Sequence, residues 1–317
     1  MRIGGSFPEF KIFTGNSNIA LAEEIASIMG KPLGKADVGT FSDGEISVNV
    51  FETVRGRDIY IIQSTSNPVN NNLMELLILI DAMKRASAGR INAVIPYYGY
   101  ARQDRKAKAR DPITAKLVAD LISAAGADRV VTMDLHAAQI QGYFDIPVDH
   151  LLGMPVLVKY FKKMKLPDLI IVSPDHGSVT RARNMAQPLN VPIAIIDKRR
   201  QKANESEIMH VIGDIEGKNC ILVDDVIDTA GTITNAANKL TELGAQDVYA
   251  CATHGVLSGK AIERIQASTI KEMVLLNTVP VLGEKQIDKI KVLSVAPIFA
   301  EAMGNIHNND SVSKIFA

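Results

Sequence analysis

The chain contains no tryptophan, and aromatic residues make up only 5% of its 317 residues. Proteins that hold single-stranded nucleic acid without sequence preference stack successive bases on aromatic side chains, so this composition argues against such a surface. Net charge is also missing, because 35 basic residues balance 35 acidic residues. We therefore expect no overall attraction to nucleic acid or to a membrane surface, and any anion must be bound by local groups.

Cysteine is scarce as well, and the two present, Cys220 and Cys251, lie in apolar runs. We interpret them as small buried hydrophobic residues of a reducing compartment rather than as metal ligands or a disulfide. The longest apolar stretch, at residues 73–83, is interrupted by Glu75 and Asp81 and is too short to span a bilayer. The first residues lack the basic start and apolar core of a signal peptide. These absences predict a soluble cytoplasmic protein.

Short apolar runs alternate with amphipathic helical patterns along the whole chain, which favours α/β architecture with mainly parallel sheets flanked by helices. The pattern predicts strands at residues 11–13, 59–63, 91–96, 130–133, 169–172, 193–196, 220–226, 248–253 and 273–276. It predicts helices near residues 17–29, 71–88, 114–125, 179–187, 233–243, 260–265 and 296–306. This number of strands is larger than one doubly wound sheet comfortably holds. Gly153 and Pro155 mark a break between two halves of the chain. We predict two domains, 1–152 and 153–317.

The most informative segment is ILVDDVIDTAGT, at residues 221–232. Its apolar start predicts a buried parallel strand that ends at two adjacent carboxylates, Asp224 and Asp225. A loop of small residues follows, and a helical pattern begins at about residue 233. Backbone N–H groups of such a loop and of a helix N-terminus bind phosphate, and the helix dipole adds to the attraction.

The two carboxylates cannot themselves bind a phosphate, because like charges repel. They suit sugar hydroxyls or a hydrated magnesium ion instead, so a phosphorylated sugar would satisfy both parts of the segment. The alternative is ordinary loop chemistry, since Asp, Gly and Thr are common after strands of any α/β protein. The segment alone does not decide between these two interpretations.

Other predicted strand ends also carry polar residues, and ligands of open α/β sheets bind beyond the carboxyl ends of the strands. His136 follows one strand and Asp175 follows another. Together they could hold a divalent ion that keeps several of its water molecules. A structural histidine and a helix-capping aspartate are the simpler alternatives.

Two segments are strongly basic. Residues 196–204 (IDKRRQKAN) include Lys198 and Arg200, which suit the neutralisation of charge that phosphoryl transfer requires, although such a run is usually a solvated loop. Residues 97–110 (YYGYARQDRKAKAR) form either a basic surface loop or a site for a nucleotide. The chain has neither a GxxxxGK[ST] loop nor a GxGxxG sequence after a strand, which excludes a P-loop kinase and a standard dinucleotide oxidoreductase.

Six segments together, FSDGE, YYGYARQDRKAKARDPITAKL, MDLHA, VSPDHGS, IIDKRR and VDDVIDTAGT, resemble the ribose-phosphate pyrophosphokinases in composition, order and spacing. The resemblance extends from about residue 12 to SVSKIF at the C-terminus and is greatest to the bacterial, phosphate-activated class. It implies two phosphoribosyltransferase-like domains and the conversion of ribose 5-phosphate and ATP into 5-phosphoribosyl 1-pyrophosphate and AMP, for nucleotide biosynthesis. It also implies a homohexamer with phosphate as activator and ADP as inhibitor, the effectors acting near Thr53, Arg55 and residues 311–313.

The resemblance also assigns roles to individual residues. Lys198 and Arg200 become the catalytic cations, and His136 and Asp175 become the Mg²⁺ ligands. The residues that bind ATP become Phe41, Asp43, Gly44, Glu45, Arg102 and Gln103. The residues that bind ribose 5-phosphate become Arg200, Asp224, Asp225, Asp228, Thr229, Ala230, Gly231 and Thr232.

The chain departs from the family pattern at three positions. Ser178 replaces the second glycine after SPDH, which would cost roughly 1–2 kcal/mol if the position requires positive φ. Gly255 stands where proline is usual, which is expected to free a turn, and Lys314 stands where an aromatic residue is common, beside the implied effector serines. Two alternative functions follow: a catalytically impaired regulatory subunit of the synthetase, for which Ser178 is the argument, and a nucleobase phosphoribosyltransferase, which shares the 224–232 loop.

Overall fold

The computed structural model describes residues 9–199 and 208–316. The chain divides into two compact units. The first comprises Met1–Leu152, Thr278–Pro280 and Ser294–Ala317, and the second comprises Gly153–Asn277 and Val281–Leu293. The domain division predicted from the sequence places residues 294–317 in the second domain, and that part of the prediction is wrong.

The first unit is built on a five-stranded parallel sheet with the order β1-β4-β5-β6-β7. Its strands are β1 (Phe10–Thr14), β4 (Asp58–Ile62), β5 (Arg90–Ile95), β6 (Arg129–Met133) and β7 (Val148–Leu151). A separate antiparallel hairpin consists of β2 (Ala36–Thr40) and β3 (Ile46–Val50). The accompanying helices are α1 (Ile19–Ile28), α2 (Val69–Arg85) and α3 (Thr114–Ala125). Every residue of β4 is buried, as expected for a central strand covered on both faces.

The second unit is built on a seven-stranded sheet with the order β10-β9-β8-β11-β12-β13-β14. Its strands are β8 (Leu169–Ser173), β9 (Ile193–Arg199), β10 (Ile208–Ile212), β11 (Asn219–Ile227), β12 (Asp247–Gly255), β13 (Ile270–Leu276) and β14 (Ile290–Leu293). β10 is antiparallel to β9, whereas the other ladders are parallel. The helices are α4 (Met154–Met164), α5 (Val179–Leu189), α6 (Gly231–Glu242) and α7 (Ala261–Ala267).

A last helix, α8 (Ala296–Asn308), returns the chain to the first unit. His307 Nδ1 lies 2.9 Å from Asp58 Oδ2, Tyr60 donates a hydrogen bond of 3.2 Å to the carbonyl of Met303, and Arg90 donates one of 3.3 Å to the carbonyl of Ile306. These contacts to β4 and β5 explain why the C-terminal segment belongs with the beginning of the chain.

Each of the strands and helices predicted from the sequence is present, so the predicted α/β class is confirmed. The structure adds β2, β3, β7, β10, β14 and α4. Within the part of the chain that the structure describes, no helix is both long and apolar enough to cross a lipid bilayer.

Candidate active site

The carboxyl edge of the second sheet carries the predicted sugar-phosphate segment. β11 continues through the two carboxylates to Ile227, because Val226 and Ile227 still pair with His254 and Gly255 of β12. The prediction that the strand ends at the carboxylates is therefore wrong by two ladder pairs. The departure at Gly255 also lies in a strand rather than in a turn, and a Cβ atom there would come within 2.7 Å of Leu275 Cδ1.

The loop between β11 and α6 has the form of an anion cradle. Ala230 adopts a left-handed conformation, with φ of 60°, and α6 begins at the next residue, Gly231. A non-glycine residue in this conformation is strained, and such strain is typical of functional loops. Thr229 and Thr232 are exposed, and the first N–H groups of the helix lack helical partners by geometry. A phosphate placed here would accept hydrogen bonds from these amides.

Neighbouring elements hold this loop in place. The Ser258 amide donates a hydrogen bond of 3.0 Å to the Asp228 carbonyl, and the Ser258 hydroxyl bonds the Asp228 carboxylate. Arg264, on α7, donates a hydrogen bond of 2.8 Å to the Thr229 carbonyl. Ser258 and Arg264 could not be identified from local sequence pattern, because they lie 30 and 35 positions from their partners.

The two acidic residues lie close to one arginine. Asp225 is 4% exposed and Asp224 is half-buried. Arg181 Nη1 lies 3.5 Å from Asp224 Oδ1 and 3.4 Å from Asp225 Oδ1. Burial, together with the neighbouring Asp225 carboxylate, raises the pKa of Asp224 to about 7, and Arg181 partly opposes this increase. No sequence pattern indicates a role for Arg181, whose only local feature is its place on the amphipathic helix α5.

β8 is the neighbour of β11 in the sheet, so the residues after β8 lie beside the acidic pair. Ser178 is 3% exposed. Its amide donates a hydrogen bond of 3.0 Å to Asp175 Oδ1, and its hydroxyl donates one of 3.0 Å to Asp224 Oδ1. The φ angle of Ser178 is −93°, so the positive φ on which the predicted cost depends is not found.

The two predicted metal ligands lie in different units. Asp175 follows β8 in the second unit and is half-buried, whereas His136 follows β6 in the first unit and is exposed. Among residues 9–199 and 208–316, no cluster of three or more His, Cys, Asp or Glu side chains could hold a metal ion. The assignment of His136 and Asp175 as Mg²⁺ ligands therefore stays a prediction.

The predicted ATP residues belong to two exposed loops of the first unit. The FSDGE segment is the tight turn of the β2–β3 hairpin, in which the Phe41 amide donates to the Glu45 carbonyl at 2.8 Å and Asp43 Oδ1 accepts from the Glu45 amide at 3.1 Å. Gly44 has a φ of 96°, the left-handed conformation that favours glycine. The Phe41 side chain is 59% exposed. A large apolar ring and two carboxylates are thus presented to solvent.

The second loop follows β5 and contains the basic segment. Arg102 and Gln103 are exposed, and so are Arg105, Lys106, Lys108 and Arg110. The base of the loop is firmly held, because Tyr98 donates to the Ala115 carbonyl at 2.8 Å and the Gly99 amide donates to Thr65 Oγ1 at 2.6 Å. Buried anchors beneath a row of exposed cations are consistent with an anion-binding loop.

The predicted catalytic cations lie at the end of the first described range, residues 9–199. The backbone of Lys198 lies in β9, opposite Met209 of β10. The side chain of Lys198 and the whole of Arg200 lie outside the described residues.

Comparison with known proteins identifies the family. Residues 10–126 match the family model of the N-terminal domain of ribose phosphate pyrophosphokinase, and residues 199–317 match that of the phosphoribosyl synthetase-associated domain. The chain is 70% identical over 309 residues to the ribose-phosphate pyrophosphokinase of Clostridium perfringens, covering 96% of this chain and 97% of the other. It is 61% identical over 307 residues to that of Bacillus subtilis, covering 97% of both.

A crystal structure supports the same relationship. The phosphoribosylpyrophosphate synthetase of Mycobacterium smegmatis superposes with a TM-score of 0.90 at 44% identity, covering 95% of this chain and 99% of the other. The cradle at the end of β11, the acidic pair beside it and these matches over nearly the whole length agree, and the chain belongs to the ribose-phosphate pyrophosphokinase family.

Proposed function

We propose that this enzyme transfers the diphosphoryl group of ATP to the C1 hydroxyl of ribose 5-phosphate, giving 5-phosphoribosyl 1-pyrophosphate and AMP. The observation that carries the proposal is the β11–α6 segment, where an anion cradle adjoins two carboxylates in a chain of this family. In the reaction, the C1 oxygen forms a bond to the β-phosphorus. The bond from that phosphorus to the oxygen shared with the α-phosphate breaks, and AMP leaves.

Ribose 5-phosphate binds, in this proposal, along the carboxyl end of β11. The 5-phosphate accepts hydrogen bonds from the loop formed by Asp228, Thr229, Ala230, Gly231 and Thr232, and Asp224 and Asp225 accept hydrogen bonds from the ribose hydroxyls. The strained φ of Ala230 and the exposed threonine hydroxyls support the first assignment. The position of the acids beside the loop, on the same strand, supports the second.

ATP binds to the two exposed loops of the first unit. Phe41 packs against the adenine, while Asp43, Gly44 and Glu45 form the turn that presents it, and Arg102 and Gln103 bind the remainder of the nucleotide. The support is the exposure of these side chains on well-anchored turns.

Both substrates are anions, so the transfer requires positive charge. Lys198, Arg200 and Arg102 stabilise the non-bridging oxygens of the transferred group, which is the main contribution that proteins make to phosphoryl transfer. His136 and Asp175 would hold Mg²⁺, which when bound neutralises phosphate charge. Ser178 keeps the Asp175 carboxylate oriented through its amide.

We further propose a cytoplasmic homohexamer activated by phosphate and inhibited by ADP. The residues implied in effector binding, Thr53, Arg55 and those at 311–313, are mostly exposed in the first unit. Lys314 is exposed beside the two serines, and its charge would add to the attraction for an anionic effector.

The reaction is tested by its products. Purified protein given ATP, Mg²⁺ and ribose 5-phosphate is expected to release AMP and 5-phosphoribosyl 1-pyrophosphate in equal amounts, as measured by ion-exchange chromatography. Lys198→Ala serves as the inactive control, and it should still bind ribose 5-phosphate. Release of ADP would indicate ordinary γ-phosphoryl transfer and would overturn the proposal. No product at all would favour the regulatory-subunit alternative. Release of pyrophosphate from added 5-phosphoribosyl 1-pyrophosphate that requires a nucleobase would favour the phosphoribosyltransferase.

A further inference from the structure

Two side chains of the second unit, Arg181 and Ser178, form a connected network with the acidic pair. Arg181 Nη1 lies within 3.5 Å of Asp224 Oδ1 and within 3.4 Å of Asp225 Oδ1. The same guanidinium nitrogen donates a hydrogen bond of 3.3 Å to the Ser178 hydroxyl, which in turn donates one of 3.0 Å to Asp224 Oδ1. Oδ1 of Asp224 also accepts the Asp225 amide at 2.9 Å. One oxygen of Asp224 is therefore held from three directions.

Such a network offsets the electrostatic repulsion between the two carboxylates of the proposed site. Two adjacent carboxylates that are largely removed from water repel each other, and each loses hydration. A carboxylate must be ionised and correctly oriented to accept strong hydrogen bonds from sugar hydroxyls. One guanidinium that faces both carboxylates supplies the opposite charge, and its planar donors fix their direction. Arg181 is only 23% exposed at its side chain, so bulk water screens this interaction weakly.

We propose that Arg181 and Ser178 are positioning residues, which hold Asp224 and Asp225 in the orientation that binds the ribose hydroxyls. The inference rests on the proposed function, because it takes the acidic pair to be the ribose site. Arg181 acts on both acids, whereas Ser178 acts on Asp224 alone. Ser178 also bonds Asp175 through its amide, so one buried residue joins the ribose carboxylate to a proposed metal ligand.

The geometry makes the two contributions unequal. Arg181 Nη1 faces both carboxylates, whereas the Ser178 hydroxyl bonds Asp224 and not Asp225. We therefore expect Arg181→Gln to weaken ribose 5-phosphate binding by roughly 10- to 100-fold, as for loss of hydrogen bonds to charged groups, and Ser178→Ala to weaken it by only about 3-fold. ATP binding should be unchanged in both.

The experiment is a calorimetric titration of the full-length variants with ribose 5-phosphate and with its 2-deoxy and 3-deoxy analogues. If Arg181 acts through the hydroxyl-binding acids, its substitution should cost less affinity for at least one deoxy analogue than for ribose 5-phosphate, because that analogue lacks the group being bound. Arg183→Gln is the matched control, since Arg183 is exposed on the same helix and carries the same charge. Arg181→Lys, which keeps the charge, should restore part of the affinity.

Each result bears on the inference in a defined way. Equal losses for all three sugars in Arg181→Gln, accompanied by weaker ATP binding and a lower melting temperature, would show a merely structural residue and overturn it. Affinity equal to that of Arg183→Gln would also overturn it. Ser178→Ala gives an independent test, because removal of one hydroxyl leaves the helix intact, and an unchanged affinity would remove Ser178 from the network. These titrations need no turnover, so they remain interpretable if the wild-type protein fails to form AMP, a failure that would contradict the proposed function instead.

Discussion

The ionised carboxylate of Asp224 lowers the stability of the folded protein, because it is removed from water beside a second carboxylate. Its carboxylate is half-buried and adjoins a second carboxylate that is 4% exposed. Burial and this neighbour raise its pKa to about 7 from the ordinary value of 3.8. The folded state therefore binds a proton at pH values where the unfolded chain has already released it, so the stability of the protein decreases as the pH rises through that window.

Asp224→Asn should remove this pH dependence. We expect the melting temperature of the wild type to fall more than that of the variant between about pH 5 and about pH 7, with little further divergence above that range. Scanning calorimetry at a series of pH values measures the difference. Asp288→Asn, which changes an exposed carboxylate of the same unit, should follow the wild type. Parallel pH profiles for wild type and Asp224→Asn would contradict the assignment of the raised pKa to this residue.

The sequence predicted the components of the sugar-phosphate segment but not the residues that hold them. The 221–232 segment is contiguous, so its strand, acids and loop could be identified from local pattern alone. Arg181 lies 43 positions before Asp224 in the sequence, and no local pattern indicates which strand end a helical arginine faces. The predicted cost of Ser178 applies only if its backbone requires a positive φ, and its φ of −93° removes that cost.

The fully buried strands were predicted from the sequence, whereas several partly exposed strands were missed. Strands such as β4 and β8 are nearly continuous apolar runs, which are unmistakable in a parallel sheet. β2 and β3 form a half-exposed hairpin, and β14 is a four-residue edge strand with two exposed residues. These strands are only four or five residues long and mix apolar with polar residues, so their sequence pattern is weak. Their β-propensity also depends on neighbours that only the fold supplies.

Arg264 links the helix α7 to the β11–α6 loop, the proposed phosphate site, and provides a test at this scale. Arg264→Gln should raise the KM for ribose 5-phosphate by roughly two- to fivefold, since the lost hydrogen bond to the Thr229 carbonyl is exposed and only loosens the loop. The KM for ATP should not change. Steady-state kinetics checks both values, with Lys291→Gln as a control for the loss of one exposed positive charge from the same unit. Equal changes in the two variants would mean that only net charge matters.

At the scale of the whole molecule, the first unit is discontinuous in sequence. Asp58, which is 3% exposed, receives hydrogen bonds from Arg90 and Asn92 and lies 2.9 Å from His307 Nδ1. Burial alone would raise the pKa of Asp58, but the hydrogen bonds from Arg90 and His307 lower it below its ordinary value. No sequence pattern relates residue 58 to residue 307, which is why the predicted second domain wrongly included α8.

His307→Ala should therefore destabilise the first unit. We expect a loss of about 1–3 kcal/mol in the free energy of unfolding, because a buried carboxylate loses one partner and the ring packing against Phe10, with centroids 4.8 Å apart, is removed. Urea denaturation followed by circular dichroism measures the loss. Asn308→Ala, at an exposed position beside it on the helix, is the control, and an identical effect would show that helix propensity rather than the contact is responsible.

The return of α8 has a consequence for the order in which a ribosome can complete the two units. All segments of the second unit have been synthesised once Leu293 has been added. At that point β4 still lacks its contact with His307 of α8, which comes 14 residues later. Domains tend to fold as units during synthesis, starting from the N-terminus. In this protein the unit whose synthesis begins first is completed last. Until α8 has been synthesised, the carboxylate of Asp58 lacks its contact with His307.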